Sequence, residues 1–336
     1  MLTNSRSAWR TSFGLLGVVL LASSFPAEIY AATELDRYLI AGKFRIFYTL
    51  KGESAVAPDD HDRSGVPDRV EDVARQLNVA YRLYCEVLQF PDPLTSSRFK
   101  EATCIQVTLL HRAKGNGVAY DAMSRARPMN GIRPDERVLA ITIGSHVDPI
   151  HNVTPAHEMF HLIQYGATYF KNRWYLEGMT RWFEHGICHQ ALGDLRYDPA
   201  GPWPQSHGQQ SKIFQQSYDA EYTLWNPIAA ATDADTSLPK TSALRKLAAI
   251  RYSDGSPVMQ DLNLQGASVM RSILIELGHL DDEAFQKLGY DRWSEKNQSS
   301  PGNNPFIYLG VMRALRQHGA VVAESSKESE HATTIP

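Results

Sequence analysis

The chain has 336 residues, 43% hydrophobic and 21% charged, the balance of an ordinary folded protein. Lys and Arg number 34 against 37 Asp and Glu, a formal net charge of −3 that offers no basic surplus for nucleic acid as a general partner. No stretch approaches 18 consecutive apolar residues, so stable membrane insertion is not expected either.

Residues 1 to 31 read as a cleavable signal peptide: Arg6 and Arg10 precede the apolar run Phe13 to Ala22, and small residues follow to Ala31. The mature chain, secreted or periplasmic, would keep about 305 residues with 32 basic and 36 acidic side chains, enough to bury a sizeable core as a monomer. Residues 44 to 50 alternate like a strand. From Asp60 the chain then reads DHDRSGVPDRVE, which puts Asp60, Asp62, Ser64, Gly65, Val66, Asp68 and Glu71 at positions 1, 3, 5, 6, 7, 9 and 12 of a calcium-binding loop. A hard cation needing 6 to 8 oxygens explains the crowding, with Gly65 at the sharp turn and Val66 contributing only its carbonyl. A helix is expected over about 68 to 89, entered through Pro67. No helix precedes the loop, so it reads as an isolated calcium loop between strand and helix; the alternative is an acidic turn with a helix cap.

Further strands are expected at 103 to 110, 117 to 122 and 137 to 143, with Asn130-Gly131 as a turn between the last two. Residues 32 to 152 thus form an α+β lobe with a mixed sheet. Cys85, Cys104 and Cys188 are an odd set; Cys85 with Cys104 is the expected pair, and burial as free small hydrophobes is the alternative.

HEMFH at 157 to 161 sets two imidazoles one helical turn apart with a carboxylate between them. The spacing predicts a helix over 154 to 165, with Thr154 as N-cap, Pro155 at the first helical position and Gly166 near the break. A second helix should begin near Trp174, within WYLEGMTRWFEHG. If the two pack antiparallel, His161 and Glu177 each lie four residues from the connection, roughly 6 Å along their helices, at the same height. His157, His161 and Glu177 then form the two-His, one-Glu ligand set of a catalytic zinc site with an open fourth position. Glu158, about 100° round the helix from His157, can reach a zinc-activated water without binding the ion and serve as general base.

Farther on, His185, Cys188 and His189 follow no strong zinc spacing and read as one exposed face. Residues 199 to 216 are rich in Pro, Gly and Gln and read as a surface loop. Helical patterns return at Ser242 to Tyr252, Leu264 to Leu277 and Phe306 to Gln317, giving a mostly helical second lobe over 153 to 320 before a disordered tail at 321 to 336.

HEMFHLIQYG followed by WYLEGMTRWFE resembles gluzincin-type zinc metallopeptidases, the thermolysin-like group. It is most similar to secreted bacterial metallopeptidases with HExxHxxQ and then WxxEGxAxWxE. The resemblance spans about residues 40 to 190; that family also carries a D-x-D-x-x-G-x-P-D loop near its N-terminus. It implies a zincin-like fold, one catalytic zinc held by His157, His161 and Glu177, Glu158 as base, and a peptide or protein substrate laid along an edge strand, here 117 to 122 or 137 to 143. Thermolysin has an Asp four residues after its ligand Glu where this chain has Arg181. The partner that orients an imidazole could then be Glu184, or Arg181 and Glu184 could form an ordinary i, i+3 surface pair. The oxyanion-stabilising group is expected from Tyr218, Tyr222 or His207. The competing reading is a non-hydrolytic zinc-binding scaffold on the same fold, favoured by Arg181 and by that unassigned group.

Overall fold

A computed structural model of the protein describes residues 35–129, 131, 133, 135–187, 207–233, 238, 241–262 and 264–320. The expected signal peptide, the tail at 321 to 336, Cys188, His189 and Asn130 lie outside the described residues.

The fold is α+β, built on a mixed sheet whose order is β1 (Arg37–Ala41), β2 (Phe44–Tyr48), β3 (Ala102–Leu110), β6 (Arg137–Gly144) and β4 (Gly117–Ala119), with the short β5 (Ser124–Arg125) also on β6. β2, β3 and β6 run parallel, while β1, β4 and β5 are antiparallel to their neighbours. Alternation sends Ile46, Ile105, Val107, Leu139 and Ile141 toward one continuous hydrophobic core shared with the helices. β1 escapes a sequence reading because Leu39 and Ala41 face the core while the exposed positions alternating with them, Tyr38 and Ile40, are apolar too, leaving no polar alternation to detect. β6 is paired on both sides, so the alternative placing an edge strand at 137 to 143 does not hold; β4 ends the sheet.

Helix α1 (Asp68–Tyr81) continues as a wider π-type turn through Arg82–Val87. Cys85 faces the core, whereas Cys104 alternates with Ile105 and so points to the opposite face of β3. With the sheet between them the expected disulfide does not form, and both thiols are free and buried.

Helix α2 (Thr154–Ala167) begins one residue earlier relative to its cap than the sequence suggests: Val153 is the N-cap and the Thr154 side chain makes no capping bond. Its free N–H groups are satisfied from elsewhere, Thr154 N donating to Asn152 Oδ1 at 2.9 Å and Ala156 N to Gln76 Oε1 at 3.0 Å. Helix α3 (Arg173–Phe183) follows a short connection.

The remaining described helices are α4 (His207–Phe214), α5 (Asn226–Thr232), α6 (Ser242–Ala248), α7 (Ala267–Lys287), α8 (Glu295–Gln298) and α9 (Asn304–Gln317). α4 overturns the loop reading of 199 to 216 in its described part: Ile213 is buried and Phe214 packs on Trp174 with ring centroids 5.2 Å apart, so tertiary contact overrides a Gly/Gln-rich composition. α7 runs ten residues past Leu277 because Leu280, Asp281 and Ala284 continue its buried stripe. No helix among the described residues is long and apolar enough to cross a membrane.

Candidate metal centre

Cross-helix bonds fix how α2 and α3 meet. Gln164 Nε2 donates to the Leu176 carbonyl at 3.0 Å, Thr180 Oγ1 to Gln164 Oε1 at 3.0 Å, and His157 lies against Glu184. Partners climb α3 as they descend α2, so the helices are antiparallel and His157, His161 and Glu177 arrive at one level. Their ligating atoms all lie within 4.8 Å of one another.

The imidazoles are aimed by their second nitrogens. His157 Nδ1 is 2.7 Å from Glu184 Oε1, and His161 Nδ1 is 2.9 Å from Gln164 Oε1. Each Nδ1 therefore donates outward, and both Nε2 atoms turn to Glu177 Oε2 at 3.5 and 3.6 Å. That carboxylate oxygen is buried and accepts no hydrogen bond, an expensive state for an anionic atom unless a cation faces it. Burial works against charge on His157, yet the facing Glu177 carboxylate and the one bonded at Glu184 outweigh it and lift the pKa to about 10. Burial opposes ionisation of Glu177 too, but the two imidazoles hold its carboxyl far below the usual range. Glu158, Glu177 and Glu184 gather around the two imidazoles, with Arg181 paired to Glu184. Two nitrogens and one carboxylate oxygen fit a zinc ion.

Glu184 resolves its two sequence readings by taking both parts at once. Oε1 meets His157, while Oε2 accepts from Arg181 Nη1 at 2.5 Å.

Glu158 leaves the ligand face and points at the sheet edge. It is 6% exposed; burial raises its pKa, and the backbone N–H of Ala119 on β4 donates to it. β4 approaches α2 so closely that a Cβ on Gly117 would stand 2.7 Å from Glu158 Oε1 and 2.6 Å from Thr154 Cγ2. A larger residue at 117 would have to push the Thr154 or Glu158 side chain aside. A cleft of about 520 Å³ opens here, lined by Asn116, Gly117, Asn152, His157, Glu158, Arg181, Glu184 and Tyr218 among others.

Of the three expected oxyanion groups, Tyr218 stands at this cleft, its ring centroid 6.3 Å from that of His157. Partial burial and the neighbouring Glu177 push its hydroxyl up to about 12, so it stays a proton donor at neutral pH. Tyr222 is exposed and absent from the lining, and the His207 side chain lies outside the described residues. The cluster of His185, Cys188 and His189 is described only at His185, which is mostly buried against Glu221 rather than exposed.

The loop ahead of α1 gathers Asp60, Asp62 and Asp68, with one oxygen of each within 4.8 Å of the others. Ser64 N donates to Asp60 Oδ1 and Asp62 Oδ1, both at 3.0 Å, and Gly65 has φ +87°. The Ser64 hydroxyl links the rest, reaching the Val66 carbonyl at 3.2 Å and Glu71 Oε1 at 2.9 Å. Asp68 also engages His61, and Glu71 Oε2 pairs with Arg75 at 2.7 Å.

Gln164, Thr180, Gly117 and Glu221 support the centre without a role assigned from sequence. Gln164 alone left a trace, as the Gln three residues after His161 that completes the HExxHxxQ pattern. Searches of protein-family models, curated proteins and solved structures find no significant match to this chain.

Proposed function

We propose that the chain is an exported zinc metallopeptidase of the zincin-like, gluzincin type. The observation that carries this reading is the buried Glu177 Oε2, which accepts no hydrogen bond and is faced by both histidine Nε2 atoms, with Glu158 beside them at an open cleft. His157, His161 and Glu177 would hold zinc, which when bound supplies a Lewis acid that polarises a carbonyl and acidifies water. Glu158 takes the proton from the attacking water and returns it to the leaving amine, a transfer its raised pKa favours. An extended substrate adds to the free side of β4, its backbone in register with the strand that already touches Glu158. Elemental analysis is expected to find one zinc per chain, and casein to be cleaved until a chelator is added. Zinc binding without cleavage of any peptide or protein would favour the scaffold reading instead.

Tyr218 is the proposed oxyanion donor. Tyr218→Phe is expected to lower kcat by roughly 10²–10³-fold with KM and zinc content near wild type, the size of one lost donor. An unchanged kcat would remove Tyr218 from the mechanism.

The loop Asp60, Asp62, Ser64, Val66, Asp68 and Glu71 is proposed to hold a structural calcium. The melting temperature should then rise with millimolar calcium and cease to respond in Asp62→Ala. A flat response in wild type overturns the assignment.

A further inference from the structure

Behind the metal centre lies a polar chain that the ligand set alone does not require. Glu221 opens the turn Glu221–Trp225 and is fully buried. Its Oε2 is 3.4 Å from Arg181 Nε, its Oε1 is 3.4 Å from His185 Nε2, and Asn226 Nδ2 donates to Oε1 at 3.0 Å. Arg181 donates in turn to Glu184 Oε2 at 2.5 Å, and Glu184 Oε1 lies 2.7 Å from His157 Nδ1. Charge alternates along the series: carboxylate, guanidinium, carboxylate, imidazole.

A surface pair between Arg181 and Glu184 would need no third member. Burying a carboxylate completely is costly, and here its cationic partner is a residue already bound to the group that aims His157. The side chain of Arg181 is 31% exposed at the cleft, with water available to it. Glu221 Oε2 accepts no hydrogen bond, and meets the guanidinium on its inner side as a buried charge 3.4 Å from Arg181 Nε, so its hold on Arg181 is electrostatic. With Arg181 so fixed, the Glu184 carboxylate cannot rotate without losing its bond at Oε2, and Oε1 stays on His157.

We propose that Glu221 is a positioning residue for the metal centre: it clamps Arg181, which locks Glu184 onto His157 and thereby sets how tightly the metal is held. The inference rests on the zinc reading of His157, His161 and Glu177.

The test is the zinc dissociation constant of the whole protein, measured by competition with a chromophoric chelator for wild type, Glu221→Gln, Glu184→Gln and the double variant. Gln at 221 keeps the length and the acceptor for Asn226 but loses the charge that holds Arg181. Glu221→Gln is expected to weaken zinc about tenfold and Glu184→Gln about 10–100-fold, the range for outer partners of a ligating imidazole. The double variant should match Glu184→Gln alone, since both act through one link. Losses that simply multiply would show that Glu221 acts through its charge or the fold at large, and would overturn the proposal, as would an unchanged constant in Glu221→Gln. If Glu221→Gln does not fold, Arg181→Lys reads the same link: it keeps the charge without the fork, and wild-type affinity there is an equally negative result. A wild-type protein that takes up no zinc overturns the zinc reading and this inference together, whereas zinc uptake with no response to either variant overturns this inference alone.

Discussion

Glu158→Gln is expected to lower peptide cleavage by about 10²–10⁴-fold while zinc content stays at the wild-type level. The substitution changes little in shape: the amide oxygen can still accept from Ala119 N–H, and the side chain still fits beneath Gly117. What disappears is the capacity to accept a proton. Because His157, His161 and Glu177 hold the ion in this reading, the metal should be indifferent to the change. The measurement is the cleavage rate of casein and of a short peptide panel beside elemental analysis of the same samples. Cleavage near the wild-type rate would sink Glu158 as base, and loss of zinc would make it a ligand.

The second large effect is on stability. Zinc binds the folded protein and not a chain whose ligands are dispersed, so at a free concentration a thousand times its dissociation constant it adds about 4 kcal/mol. Chelation should therefore lower the melting temperature by on the order of 10 °C. Glu177→Ala is expected to erase the difference between zinc-loaded and chelated samples, since it removes the one carboxylate ligand. Calorimetry with and without chelator decides the matter; a Glu177→Ala protein that still gains the full shift from zinc would remove Glu177 from the ligand set.

The parts of the site that could be read from sequence are those set by helix geometry. His157 and His161 share a face because they lie four apart, and Glu177 reaches them because the connection between α2 and α3 is short. Glu184 was legible for the same reason, though not its division between His157 and Arg181. Glu221, Gly117 and the choice of Tyr218 over Tyr222 were not, because each depends on a segment folding back from far along the chain. The fold divides likewise. β2, β3 and β6 are buried along most of their length and stand out as apolar runs, whereas β1 sets Leu39 and Ala41 on the core but carries Tyr38 and Ile40 on its exposed face, so its sequence shows no polar alternation. α4 hides behind its composition because the contact that holds it, Phe214 on Trp174, is not local. The expected bond between Cys85 and Cys104 failed on a matter of sidedness, the sheet lying between them.

All three proposed ligands, the proposed base Glu158 and the supports Gln164, Thr180 and Glu184 fall between residues 154 and 184, on two consecutive helices and the turn that follows the second. Contacts so close in sequence close small loops and form early in folding. The proposed donor Tyr218 and the proposed clamp Glu221 come from a later segment, Glu221 opening the turn Glu221–Trp225. The proposed ligand set is therefore local in sequence, whereas what would tune it and what would act on a substrate beside it are supplied from farther along the chain.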